Sequence, residues 1–104
     1  MEMRQKKHDE QYENIEIARK IDKEIEKFIG KDYNDDIEQK IINIIKKYDC
    51  KILETNSRKA SHTRNMIDKT FNFTKNGHST RAYIQYLVAL TDNKIEEVNY
   101  SKLY

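Results

Sequence analysis

The chain has two glycines, one cysteine and no long apolar run, and each scarcity removes a class of function. Gly30 and Gly77 stand alone, so no glycine-rich loop exists to cradle the phosphates of a nucleotide. Nucleotide hydrolysis is set aside on that ground. Cys50 has no second cysteine with which to form an internal disulfide. No apolar stretch approaches the roughly 18 residues that a membrane span needs. The opening "MEMRQKKHDEQ" carries charge without an apolar segment behind it, unlike a secretory signal. The expectation is a soluble, cytoplasmic protein with no membrane association. His8, His62, His78 and Cys50 show no paired ligand spacing, so neither a metal nor a cofactor is expected. Cys50 with His62 lacks a third group to complete a nucleophilic site, and the neighbouring acids Asp35/Asp36 and Glu96/Glu97 point in different directions. No enzymatic activity is expected.

What remains is a short, charged chain with regularly spaced apolar residues. At 104 residues it has room for one domain, residues 1–104, with 1–9 a candidate flexible lead. Hydrophobic and charged residues each make up 37%, which gives a thin core of the kind that dimerisation completes. A homodimer is therefore expected. The formal net charge of +2 is small, but it is unevenly placed. Residues 1–50 hold 11 Lys and Arg against 13 Asp and Glu, residues 51–81 hold 7 against 2, and the remainder 2 against 3. Such a local excess is what a phosphate-facing surface requires, although a solvated basic face has the same composition.

Ile15, Ala18, Ile21, Ile25 and Phe28/Ile29 recur at helical spacing and predict a helix over about 11–29, ended by Gly30. Asp35 or Asp36 can cap a second helix running to about Tyr48, with Ile37, Ile41, Ile44, Ile45 and Tyr48 on its buried face. "CKILET" fits either a brief strand or an anchored connection. Asn56 and Ser57 are good caps for a third helix, Ser57 to Lys69. There Ala60, Thr63, Ile67 and Phe71 share one side, and Arg58, His62, Asn65 and Lys69 form a stripe on the other. Asn76-Gly77 is a strong type I′ hairpin signal, implying that Lys75 faces His78 and Phe71 faces Ala82. Phe71, Phe73, Ala82, Ile84 and Tyr86 would then face the core, and Asn72, Thr74, Lys75, His78, Ser79 and Arg81 would be displayed at the tip and outside. A rival for residues 80–90 is a helix capped by Ser79 or Thr80. The tail fits a short helix capped by Asp92 or a loose apolar segment.

This order of elements resembles the winged helix-turn-helix family, an α+β architecture of three main helices followed by a β-hairpin wing and here a short C-terminal element. The resemblance covers residues 10–90 and carries no specific sequence motif. It implies double-stranded DNA as the partner, the Ser57 helix in the recognition position and the tip from Lys75 to His78 as the wing. Arg58, Lys59, Lys69, Lys75 and Arg81 would anchor phosphates, while His62, Arg64, Asn65, Asn72, Asn76 and His78 are the other candidate DNA contacts. Asp68, one helical turn on, competes for Arg64. The Lys-, Ile- and Asn-rich composition resembles small plasmid and phage proteins, among them transcriptional regulators and conjugative relaxosome accessory factors that work with other DNA-processing proteins. A competing class is a protein-binding module or inhibitor that docks on an acidic partner. A third is a helical dimerisation domain whose charges only solvate it.

Overall fold

The computed structural model describes the backbone of residues 2–62, 64–78 and 82–103, and the side chains of residues 12–62, 64–78 and 82–99. Two helices precede a four-stranded antiparallel sheet. Helix α1 spans Glu2–Ile25 and passes through a short 3₁₀ turn, Glu26–Phe28, into the connection before α2, Asp35–Lys47. Strands β1 (Cys50–Lys59), β2 (Met66–Lys75), β3 (Ile84–Thr91) and β4 (Lys94–Leu103) follow in spatial order β1-β2-β3-β4.

The helices form for the reasons their spacing predicts. Ala18, Ile21, Ile25 and Phe28 are buried along one face of α1 and its 3₁₀ extension, and Gly30 ends the segment at φ 90°. One turn before Ala18, Asn14 is buried and Ile15 only half-buried, and the Asn14 Nδ2 donates to the Ala82 carbonyl at 3.2 Å. In α2 the buried face is Ile37, Ile41, Ile44 and Ile45. Its cap is Asn34, whose side chain accepts from the Ile37 N–H at 2.9 Å. Asp35 and Asp36 sit in the first turn, where their charge complements the exposed amide dipoles.

Both helices pack on one face of the sheet. That face presents Phe71 and Phe73 from β2, Ile84, Tyr86, Val88 and Leu90 from β3, and Ile95 and Val98 from β4, all buried. The core-facing set expected around the hairpin is present, since Phe71, Phe73, Ala82, Ile84 and Tyr86 are each no more than 1% exposed. Thr74, expected on display, is instead buried with its hydroxyl donating to the Ala82 carbonyl at 2.7 Å, and Ser79 lies outside the described residues. Residues 84–91 are strand, not the rival helix.

The winged helix-turn-helix layout is overturned. No third helix is present among the described residues: 57–59 end β1, 60–62 and 64–65 belong to neither helix nor strand, and 66–69 begin β2. Thr63, expected on the buried side of that helix, lies outside the described residues. The tail from Lys94 is strand β4 rather than a helix or a loose segment. The Asn76-Gly77 hairpin also differs in register, because Phe71 pairs with Tyr86 and Phe73 with Ile84. Only Gly77 of that pair takes positive φ, as in a type II turn, and the His78 N–H bonds the Lys75 carbonyl at 3.0 Å. The tight type I′ signature falls instead on Asp92 (φ 50°) and Asn93 (φ 64°), which join β3 to β4.

The two sheet edges differ. Beside β4, the connection between the helices lies alongside as a short extra rung: the Gly30 N–H donates to the Ile95 carbonyl at 2.7 Å, the Ile95 N–H to Lys31 at 3.0 Å and the Tyr33 N–H to Asn93 at 2.8 Å. No element among the described residues pairs with the outer side of β1. From Leu53 to Lys59 every residue of β1 is exposed.

Candidate nucleic-acid interface

The alternation of a strand decides where each candidate contact lies. Residues Glu54, Asn56 and Arg58 of β1 and Met66, Asp68, Thr70 and Asn72 of β2 stand on the sheet face away from the helices, because their neighbours Phe71 and Phe73 face the core. Thr55, Ser57 and Lys59 stand on the helix side and are exposed, Thr55 and Ser57 lining an open cleft with Glu38 of α2 and Lys69. The candidate residues therefore separate into two groups at opposite ends of the sheet.

At one end is the β1–β2 turn. It is shaped by the Ala60 N–H on the Met66 carbonyl (2.8 Å), the Met66 N–H on the Arg64 carbonyl (2.8 Å) and the Arg64 N–H on the Ser61 hydroxyl oxygen (3.3 Å). The Asp92 N–H donates to the Asn65 carbonyl at 2.8 Å, which ties the β3–β4 turn to the same end. Arg58, Lys59, His62, Arg64 and Asn65 are all exposed here, and none of the ion pairs formed among the described residues includes them. Asp68 lies across the ladder from Arg58 rather than one helical turn from Arg64. Lys94 stands exposed beside them, a contribution that sequence reasoning missed because Asp92-Asn93 reads as a helix cap as readily as a turn.

At the other end Lys75 and His78 are already engaged. Lys75 Nζ lies 3.3 Å and His78 Nε2 2.9 Å from the same Glu13 carboxylate oxygen on α1. Those bonds, from His78 first and Lys75 second, hold the Glu13 carboxyl below its usual range. Asn76 is held by Asp49, its Nδ2 donating to Oδ1 at 2.8 Å and its backbone N–H to the Asp49 carbonyl at 2.8 Å. Arg81 lies outside the described residues. Lys69 faces the helix side with its Nζ 5.4 Å from the centre of the Tyr33 ring. Asn72 is half-buried in the middle of the outer face. The ten residues of β2 at roughly 3.3 Å each place the two ends about 30 Å apart. A recognition helix and a wing meeting on one duplex are thus replaced by a single cationic turn.

The outer face holds a shallow open groove of about 460 Å³ lined by Asn56, Arg58, Asp68, Thr70, Gln85 and Leu87. It offers amides and hydroxyls but no aromatic ring on which a base would stack. Among the described residues no three His, Cys, Asp or Glu side chains converge as a metal site, and no helix is long and apolar enough to cross a membrane. Burial pushes the Cys50 thiol up to about 11, which keeps it protonated and a poor nucleophile. Compared with known proteins, the chain matches no family model, no curated protein and no solved structure.

Proposed function

We propose that this is a non-catalytic nucleic-acid-binding protein that engages duplex DNA through the β1–β2 turn. The observation that carries the reading is the cluster of Lys59, His62 and Arg64, with Arg58 just below beside Asp68, exposed at one end of the sheet and in none of the ion pairs formed among the described residues. Cations left in that state lose nothing internal when a phosphate approaches, whereas Lys75 and His78 would first have to leave Glu13. A two-stranded ribbon is also one of the elements that a major groove admits. Phosphate contact by Lys59 and Arg64 positions the turn, and His62 and Asn65 are the groups nearest to reach a base edge.

The test is fluorescence anisotropy with a short labelled duplex, read as the slope of log K against log salt for the wild type and for Lys59→Gln/Arg64→Gln. Each lost phosphate contact should reduce the slope by about 0.9, while Lys75→Gln should leave it unchanged. Absence of salt-dependent duplex binding, or an unchanged slope in the double variant, contradicts the reading and favours an acidic protein surface as the target of the same cations.

A further inference from the structure

The uncovered edge of β1 carries information about its occupant. The Ala60 N–H bonds the Met66 carbonyl at 2.8 Å, which marks that position as a hydrogen-bonded pair of the β1–β2 ladder. Such pairs alternate along an antiparallel ladder. Arg58/Asp68, Asn56/Thr70 and Glu54/Asn72 are therefore bonded pairs, and the backbone N–H and C=O groups of Thr55, Ser57 and Lys59 point to the open side. A row of free backbone groups on a long strand is a template for another strand.

Charge identifies that strand. Consider a second copy of β1 laid antiparallel about a two-fold axis so that Thr55, Ser57 and Lys59 meet their counterparts. Registers centred on Arg58 or Lys59 stack that cation on itself. Registers centred on Thr55 or Ser57 set Glu54 and Arg58 opposite uncharged residues. The register centred on Asn56 does something different: Glu54 faces Arg58 of the other copy, twice, on the outer face. Thr55 then faces Ser57 of the other copy in reciprocal hydrogen-bonded pairs, and Asn56 meets its own equivalent amide on the axis.

From this self-complementary pattern we infer that the β1 edge is a homodimerisation surface, in which two copies pair strands Glu54–Lys59 antiparallel about Asn56 to make one continuous eight-stranded sheet. The limits of the surface agree with a closed pair. The ladder shifts register between Ile52 and Glu54, so Leu53 breaks the pairing on one side. The opposite sheet edge is covered by residues 30–33 at the start of β4, and an isologous β1 pair closes on itself by its two-fold symmetry. Arg58 turns to the other copy in this arrangement, and the two turns carrying Lys59, His62 and Arg64 lie roughly 40 Å apart. The inference does not rest on the nucleic-acid reading, because its test contains no DNA.

The test is the assembly state by light scattering after size-exclusion chromatography across a concentration series. Wild type should be a dimer. Glu54→Arg and Arg58→Glu each set two like charges face to face and should weaken association at least about tenfold. The double reversal Glu54→Arg/Arg58→Glu restores opposite charges and should return the dimer. In a second measurement, Asn56→Cys should form a disulfide-linked dimer on mild oxidation, because non-hydrogen-bonded partners lie about 4.5 Å apart at Cα, within disulfide reach; Asn72→Cys, away from the edge, should not. A wild type that stays monomeric throughout overturns the inference and leaves the edge to a strand from another protein. A double reversal no better than the single changes, or no cross-link at Asn56→Cys, overturns the register.

Discussion

Tyr86→Phe tests how α1 is fastened to the sheet. Tyr86 is fully buried in β3, and its hydroxyl donates to Asp22 Oδ1 of α1 at 2.6 Å across 64 residues of sequence. The substitution keeps the ring in place and removes only the donor, so packing loss contributes little. A hydrogen bond to a charged group is worth about 1.5–3 kcal/mol, and the lower end applies because Asp22 is half-buried and water can replace part of the interaction. A loss of about 1.5 kcal/mol in a domain of this size lowers Tm by roughly 6–12 °C. The same tyrosine also sets an alkaline limit. Burial first, and the Asp22 bond second, push its hydroxyl well above the usual value of 10.0. The unfolded chain then ionises before the folded one, so this stabilisation is complete below pH 10.0 and is lost as pH rises beyond it. Tyr33, raised by burial and by its bond to Glu38, adds to the same limb. Urea titrations followed by circular dichroism should show Tyr86→Phe with a lower midpoint at neutral pH and an unchanged slope. The gap from wild type should narrow above pH 10.0. A Tm within about 2 °C of wild type, or a gap that does not change with pH, would refute the reasoning.

Glu13→Gln should have a small effect of under about 1 kcal/mol, because the bridges to His78 and Lys75 are solvent-screened. Since the folded carboxyl is held below its usual 4.5, the contribution is present above that pH and lost as pH falls further, so urea midpoints of variant and wild type should converge in acid. Asn93→Val forces a β-branched residue to φ 64° and removes the Asn93 Nδ2 bond to the Tyr33 carbonyl. A cost of about 2 kcal/mol or more is expected, and Asn93→Gly should cost less, both read by urea unfolding. The Cys50 thiol should fail to react with an aromatic disulfide reagent at mildly alkaline pH until urea unfolds the chain, given its burial and its value of about 11.

The helices were legible because their buried faces repeat every three or four residues, and Gly30 marks a stop that the backbone uses. The inward set Phe71, Phe73, Ile84, Tyr86 was legible too, since alternation survives wherever one face is covered. Residues 57–69 were misread because Ala60, Thr63, Ile67 and Phe71 fit a helical repeat, while the competing repeat of two (Ile67, Phe71, Phe73) is interrupted by Lys69, which faces inward over Tyr33. β1 left no alternation to find. Past Leu53 neither of its faces is covered, so no position there needed to be apolar. The two turn signals exchanged roles for a physical reason: Asn76 is held by Asp49 outside the left-handed region, and Asp92-Asn93 adopts it twice. The candidate cations followed the strands, and a single expected surface became two separated ends.

The most direct measurement is an amide chemical-shift titration of the isotopically labelled protein with a short DNA duplex at near-physiological salt. Shifts concentrated at residues 58–65, with neighbours at 91–94 and nothing at 75–78, are the predicted result. Shifts centred on the Lys75–His78 end, or none at saturating duplex, would contradict the claim that the β1–β2 turn is the nucleic-acid contact.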